Sequence, residues 1–265
     1  MSRYLIIGTG AAGVSAAEAI RDASSTAKIT LIGDEVAGFY SRPGLAYYLT
    51  QEIPEKHLFP FSKEDFQRLR LQIVNARVVA IAPQEHHITL HDGRKLAYDR
   101  LLIATGASAA QPSLPNTKKL QGIVKLDNYA DAQYIRKLSR RARAAVVIGG
   151  GITALEIVEG LQANGVKTHY FLRGDRYWGN VLDEAESRII ENRLKEEGVN
   201  IHYRTEAKEI LEKRGKVVGV RTKSGHQIKC NIIAYAIGIR PRIRLAESIG
   251  LQIERGILVN GFMQS

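Results

Sequence analysis

The chain predicts an α/β fold with parallel sheets, and three observations carry that prediction. An apolar run, Tyr4, Leu5, Ile6 and Ile7, ends on a glycine loop of Gly8, Thr9, Gly10, Ala11, Ala12 and Gly13, and a helical pattern of Val14, Ala17 and Ile20 follows. The same strand–loop–helix signature returns later, with an apolar run over residues 144–148, a loop of Gly149, Gly150, Gly151, Ile152, Thr153 and Ala154, and a helix over 155–164. Each helix is followed by a further strand pattern, over 28–32 and 166–172. Strands alternating with helices predict crossover units and a parallel sheet.

In such a loop the first glycine makes the tight turn. The second lets a pyrophosphate approach the backbone, and the third lets the helix pack close to the strand. The helix N-terminus adds unpaired N–H groups and the positive end of its dipole. One loop of this kind is a weak signal. Two in one chain predict two Rossmann-like dinucleotide-binding folds.

The bulk numbers narrow the function classes. The chain has 265 residues, enough for two ordinary domains, and is 45% hydrophobic and 25% charged, as soluble globular proteins are. No apolar run reaches the roughly 20 residues of a membrane helix, and the first strand begins too early for a signal peptide, so a cytoplasmic protein is expected. A single cysteine, Cys230, rules out an internal disulfide or a paired-thiol redox centre. It lies in an apolar segment, where a buried structural thiol is expected. The net charge of +11 is spread along the chain. Its densest cluster, Arg136, Lys137, Arg140, Arg141 and Arg143, falls at a helix end, where cations are favourable. Nucleic acid is therefore not expected as a partner, whereas an acidic protein or an anionic cofactor is.

Along the chain, the run over 28–32 ends in Gly33, Asp34 and Glu35. A carboxylate there accepts the ribose hydroxyls of a dinucleotide, about 20 residues past the loop. Glu35 fits best, with Asp34 competing. Arg42 and Pro43 precede a short helix whose Leu45, Tyr48 and Leu49 share a face. Local sequence leaves Arg42 equally suited to solvent or to a pyrophosphate. Residues 54–70 read as polar and helical, and 71–74, 76–81, 86–91 and 94–98 as short strands with an Asp92–Gly93 turn. His86, His87 and His91 resemble a metal cluster, but lack supporting carboxylates or cysteines and are expected on an exposed hairpin edge. A buried-type strand over 98–106 ends in Ala104, Thr105 and Gly106. Residues 107–122, with Pro112, Pro115, Asn116 and Gly122, are the best linker candidate. Beyond them the sequence predicts a helix over 128–140 and a charged helix over 183–197. Strands are expected over 200–203, 207–212, 217–222 and 226–229, then a buried strand from Ile232 to the Ala236, Ile237, Gly238 turn.

The ordered set of the first loop, Glu35, the Ala104–Thr105–Gly106 turn, the second loop with Glu156, and Ala236–Ile237–Gly238 resembles the FAD-dependent pyridine nucleotide–disulfide oxidoreductase superfamily over essentially the whole chain. The resemblance implies an FAD-binding domain over 1–113 and 241–265, with an inserted NAD(P)H-binding domain over 114–240. Hydride would pass from nicotinamide to flavin, and electrons would leave from the flavin. Carried over by position, Gly8, Gly10, Ala11, Ala12 and Gly13 would cradle the FAD pyrophosphate and Glu35 the adenosine ribose. The Val78 backbone would flank the adenine, and Ala104, Thr105 and Gly106 would lie against FAD, as Gly238 would at the cofactor-facing turn of the second fold. Gly149, Gly151, Ile152 and Thr153 would hold the pyridine nucleotide, and Glu156 would sit near flavin and nicotinamide. No protein side chain is expected to be a catalytic nucleophile, and no metal is expected.

Where disulfide reductases of the family carry cysteines, this chain has Tyr40, Ser41, Arg42, Pro43, Gly44 and Leu45. That pattern is similar to the rubredoxin, ferredoxin and nitrite reductase flavoproteins, in which the Arg42 position contacts FAD. An external electron acceptor follows, either a small iron protein or a small molecule. At the end of the second fold's second strand the chain reads Arg173, Gly174, Asp175, Arg176. Arginines suit a 2′-phosphate and an acid suits a 2′-hydroxyl. NADPH is favoured, helped by Ala154 at the third loop position, while Asp175 keeps NADH open. The family's third FAD motif and its C-terminal interface domain have no counterpart before Ser265. The resemblance therefore predicts a C-terminally truncated member whose FAD retention and oligomeric state are open. A nucleotide-binding module without turnover is the alternative.

Overall fold

A computed structural model describes residues 2–114 and 120–265. Part of the linker candidate, including Pro115 and Asn116, lies outside the described residues. In chain order the elements begin with β1 (Arg3–Ile7), α1 (Ala11–Ala23), β2 (Lys28–Gly33), α2 (Gly44–Thr50), a 3-10 turn (Glu55–Leu58), α3 (Lys63–Leu69) and β3 (Leu71–Asn75). They continue with β4 (Val78–Ala82), β5 (His87–Leu90), β6 (Lys95–Ala97), β7 (Arg100–Ile103), β8 (Ala107–Ala109), β9 (Ile123–Val124), α4 (Tyr129–Ser139), β10 (Ala144–Ile148) and α5 (Ile152–Ala163). The last are β11 (Lys167–Phe171), α6 (Glu184–Glu196), β12 (Asn200–His202), β13 (Ala207–Lys213), β14 (Lys216–Thr222), β15 (Gln227–Lys229), β16 (Ile232–Tyr235), β17 (Ile239–Pro241) and α7 (Arg244–Glu247).

The chain divides into two compact units. The first comprises Met1–Ser41, Phe59–Ser108 and Arg240–Ser265, and the second Arg42–Leu58 and Ala109–Ile239. The segment Arg42–Leu58 thus groups with the second unit, whereas the sequence assigned it to the first. The physical reason is α2. Its Leu49 lies so close to α5 that a Cβ on Gly160 would sit 2.6 Å from the Leu49 Cβ. Asn164 Nδ2 also donates to the Leu49 carbonyl at 2.9 Å.

In the first unit β3, β2, β1 and β7 form a sheet in that order, all in parallel register, with Ile7 opposite both Ile32 and Ile103. Both faces are covered, which is why β1 runs unbroken from Tyr4 to Ile7 in apolar residues and β2 carries Ile29, Leu31 and Ile32. Val14 and Ala17 of α1 pack with Ile6, Ile29 and Leu31 on one face. On the other, Leu5, Ile7, Ile32 and Val74 meet Val78, Ile81, Ile88 and Leu90 of the antiparallel β4–β5–β6 sheet. Each fully buried aliphatic side chain contributes on the order of 2 kcal/mol. The strand containing Leu101 and Leu102 is only half-buried, because β7 is the sheet edge among the described strands.

The second unit repeats the plan. Strands β12, β11, β10, β16 and β9 form a parallel sheet in that order, and α5 packs on β10, β11 and β16. Val146, Phe171 and Ile233 form a core with Ile210, Val217 and Val220 of the antiparallel β13–β14–β15 sheet and with Cys230. Strands β8 and β17 pair with each other. Cys230 is buried and free, and burial pushes its thiol up to about 12, as a structural cysteine requires.

Residues 54–70 form two short helices rather than one. Ser62 starts α3 with a reciprocal capping box to Asp65, just after Pro60. Within the hairpin, His86 packs on Tyr98, His87 faces Glu85 at 3.4 Å, and His91 accepts from the Arg77 N–H at 3.4 Å. No group of His, Cys, Asp and Glu among the described residues has the arrangement of a metal site. No helix among them is long and apolar enough to cross a membrane.

Two outcomes follow from this packing. Gly160→Ala pushes α2 off α5 and lowers stability by about 1–3 kcal/mol, measured by denaturant unfolding. The half-buried His169 and His202 rings lie with Nδ1 and Nε2 3.0 Å apart. Burial lowers both pKa values, with the nearby His202 and Lys167 charges also acting on His169. The native state resists their protonation and the unfolded chain does not. Stability from this pair is therefore full above about pH 6.5 and falls as pH drops below it. The melting temperature of His202→Gln is expected to change less than that of the native chain between about pH 7 and about pH 5; equal changes would contradict this.

Candidate functional site

Both glycine loops are built by one contact. Gly8 has φ +127°, and a Cβ there would lie 2.0 Å from the Ala104 carbonyl oxygen. Gly149 has φ +150°, and its Cβ would lie 2.2 Å from the Ala236 carbonyl oxygen. Only glycine allows that conformation and that approach. In each unit the contact joins the end of the first strand to the turn ending a neighbouring strand: Ala104, Thr105 and Gly106 after β7, and Ala236, Ile237 and Gly238 after β16. The structure thus places the first-loop residues beside Ala104–Gly106 in the first unit. It places Gly149, Gly151, Ile152 and Thr153 beside Gly238's turn in the second.

The third loop positions differ between the units. Gly13 lies against the Gly8 carbonyl, 2.0 Å from where its Cβ would be. In the second loop the residue there is Ala154, fully buried.

The starts of these two helices are open. Gly10 and Gly151 are the N-cap residues of α1 and α5. Neither helix has a side-chain cap or an acidic residue in its first turn. By contrast α3, α4 and α6 are capped by Ser62, Asn128 and Asp183 and carry acids in the first turn. The first-turn N–H groups after Gly10 and Gly151, which include those of Ala12, Gly13 and Thr153, have no partner within their helices. A Cβ on Gly10 would meet nothing within 4 Å, and on Gly151 only the Trp178 indole nitrogen at 3.8 Å. Open space before unpaired donors and a positive dipole end fits a phosphate.

Glu35 and Asp34 separate at the end of β2. The Tyr40 hydroxyl, on a buried ring, donates to Glu35 Oε2 at 2.6 Å and fixes that half-buried carboxylate. Asp34 is exposed and pairs with Arg77 at 2.9 Å. Val78 is buried at the start of β4, opposite Leu90. Arg242 clamps the Thr105 turn. Its Nη1 donates to the Thr105 carbonyl at 3.1 Å and its Nε to Ser108 Oγ at 2.6 Å, while Thr105 Oγ1 donates to the Arg242 carbonyl at 2.8 Å. Sequence reasoning took Tyr40 only as part of the Tyr40–Leu45 pattern and did not find Arg242, because side-chain direction and, for Arg242, contact over 137 residues are not written in residue spacing. Arg42 does not group with the first loop's unit. Its Nη1 donates to the Asp127 carbonyl in the second.

In the second unit Glu156 is half-buried on α5. Burial first, and the Glu159 charge second, raise its pKa above the usual carboxylate value. Tyr177 is fully buried, its hydroxyl unpartnered, and burial and the nearby Glu159 and Glu156 charges push it up to about 12. At the end of β11, Arg173 is exposed. Arg176 folds back so that Nη2 donates to the Gly179 carbonyl at 2.9 Å, leaving a buried Nε without a partner. Asp175 lies 3.8 Å from Arg176 and 3.7 Å from Arg204. By strand register Ile32 and Phe171 are equivalent, opposite Ile7 and Ile148. Arg173 therefore occupies the place of Asp34, and Gly174 that of Glu35: the second unit has no acid at the ribose position. An arginine-rich end with an orphaned donor fits a phosphorylated ribose.

Comparison with known proteins places the chain in a family. Rubredoxin-NAD(+) reductase of Pseudomonas putida is 28% identical over 265 residues, covering 98% of this chain and 68% of that protein. Rhodocoxin reductase of Rhodococcus erythropolis is 30% identical, covering 98% of this chain and 61% of its own. The crystal structure of the covalent putidaredoxin reductase–putidaredoxin complex matches with a TM-score of 0.94 at 28% identity, over 99% of this chain and 64% of that one. The chain thus spans about two thirds of the length of these relatives. The family described as pyridine nucleotide-disulphide oxidoreductase matches residues 2–265, and the chain belongs to that family.

Proposed function

We propose that the protein is an FAD-dependent NADPH oxidoreductase that passes electrons to a small external acceptor protein without a redox-active disulfide. The observation that carries the reading is that each glycine loop, Gly8–Gly10 and Gly149–Gly151, opens on an uncapped, acid-free helix start with open space before it, whereas α2, also uncapped, starts behind Pro43 with no such loop. One such start is a phosphate site; two in the order of this family support one site for each dinucleotide. FAD, when bound, supplies the relay between the two-electron hydride of the pyridine nucleotide and the acceptor.

The chain's own residues bind and orient. Gly8 sets the first loop against Ala104, and the N–H groups after Gly10 hold the FAD pyrophosphate. Glu35, aimed by Tyr40, accepts from the adenosine ribose. The Val78 backbone flanks the adenine, and Thr105 and Gly106, braced by Arg242, line the same cofactor. Gly149, Gly151, Ile152 and Thr153 hold the second nucleotide. Gly238 leaves the turn beyond β16 without a side chain. Glu156, its pKa raised, is a poised half-buried acid on the helix that starts at that loop. The relatives named above act on rubredoxin or pair with putidaredoxin, which supports a small electron-carrier protein as acceptor. The net charge of +11 favours an acidic one. A cytoplasmic setting is part of the proposal.

The preference for NADPH rests on Arg173 and Arg176 at the ribose end and on the absence of an acid at the register of Glu35. One relative named above is an NAD(+) enzyme, so the cofactor is the sharper test.

Gly10→Ala is expected to change stability by less than about 1 kcal/mol, because its methyl enters open space. It should weaken FAD binding at least about tenfold, read by flavin fluorescence, because the methyl takes the pyrophosphate's place. Gly8→Ala, at φ +127° and 2.0 Å from a carbonyl, should instead lower the melting temperature markedly. Equal effects of the two substitutions would contradict the assignment. Anaerobic mixing of the flavin-loaded protein with NADPH should bleach the flavin at lower nucleotide concentration than NADH does. Arg173→Ala should remove most of that preference, a loss of about 1–2 kcal/mol. Tight binding of both nucleotides without bleaching would replace the enzyme with a binding module.

A further inference from the structure

Arg204 was not singled out by any motif, and it lies where the ribose end of the second site is built. β12 runs parallel to β11, with Phe171 opposite His202, so the chain after β12 emerges at the same end of the sheet as Arg173. The pairing continues past both strands. Leu172 N–H donates to the His202 carbonyl at 2.9 Å, Thr205 N–H to the Leu172 carbonyl at 2.9 Å, and Arg204 N–H to the Gly174 carbonyl at 2.8 Å. Arg204 sits at the apex of this connection with φ +48°. Its backbone is tied to the residue at the register of Glu35, and its side chain projects outward, 79% exposed. The guanidinium lies 3.7 Å from Asp175, which is also 3.8 Å from Arg176.

We propose that Arg204 is the third cation of the 2′-phosphate site, with Asp175 as its provisional counter-ion rather than a ribose acceptor. This rests on the NADPH reading above and extends it to a residue on a different strand. Asp175 is flanked by two guanidiniums. Both pairs are long and Asp175 is exposed in each, the kind that contributes little and exchanges readily. A phosphate dianion is a stronger acceptor for the same forks. Arg173, Arg176 and Arg204 against one Asp175 leave a net positive charge at the strand ends, where parallel sheets bind ligands. The loop thereby keeps an acid without selecting the 2′-hydroxyl form.

The chain's single tryptophan, Trp178, has its indole nitrogen 3.8 Å from the Cβ position of Gly151, so its fluorescence reports this site without any flavin turnover. The test titrates the flavin-loaded protein with adenosine 2′,5′-bisphosphate, ADP and AMP, with calorimetry as a second readout. The native chain is expected to bind the bisphosphate at least about tenfold more tightly than AMP, about 1.4 kcal/mol. Arg204→Gln should remove most of that ratio while leaving AMP binding and the melting temperature unchanged. Arg204→Lys should restore part of it, and Asp175→Asn should tighten the bisphosphate a few-fold. If native protein discriminates and Arg204→Gln discriminates equally, the role of Arg204 is overturned while the NADPH reading stands. If native protein does not discriminate bisphosphate from AMP, the NADPH reading itself fails. Preference for ADP over the bisphosphate would move Arg204 to the pyrophosphate and overturn the proposal.

Discussion

The contact on which both halves of this chain depend is a glycine pressed against a carbonyl. Gly8 meets Ala104 and Gly149 meets Ala236, each at a distance that no side chain survives. The contact draws the end of the central strand against the neighbouring strand's exit turn and turns the chain directly into the next helix. It therefore sets where that helix begins. The position of the helix start is what leaves its first N–H groups facing open space instead of a neighbouring side chain. The approach that shapes the fold thus also opens the space before each helix start.

The treatment of helix ends separates structure from function within one chain. Ser62, Asn128 and Asp183 satisfy the first turns of α3, α4 and α6, with acids placed to match the dipole. The helices behind the glycine loops forgo both devices. With glycine at the N-cap, as at Gly10 and Gly151, forgoing a side-chain cap costs only about a few tenths of a kcal/mol. α2, behind Pro43, forgoes both as well, so what sets the two starts apart is the glycine loop and the open space before each, which fits an anion.

The two units use one scaffold with opposite electrostatics at the ribose end. At the end of β2 a buried tyrosine aims Glu35, and Asp34 is occupied by Arg77. At the equivalent end of β11 the register holds Arg173 and Gly174, and the remaining acid, Asp175, is held between Arg176 and Arg204. The difference lies in a few loop residues, not in the sheet. Equivalent strand ends of the two units thus carry opposite charge.

The sequence by itself determined the two strand–glycine–helix units, the exit turns at Ala104–Gly106 and Ala236–Gly238, and the lack of a thiol pair. These are local patterns, in which neighbours along the chain set backbone conformation, and so they are legible from residue order. Cys230 as an inert buried thiol was legible for the same reason, its flanks being apolar. Only the tertiary structure decided what depends on long-range approach. It decided that Tyr40 serves Glu35, that Arg242 braces Thr105, and that Leu49 docks on Gly160 and carries Arg42–Leu58 into the second unit. It also split the helical pattern of 54–70 at the Ser62 cap and made β7 a half-buried edge. Arg204 reaches Asp175 only because β12 lies parallel beside β11. Such pairings arise from side-chain direction and strand order, which residue spacing does not encode.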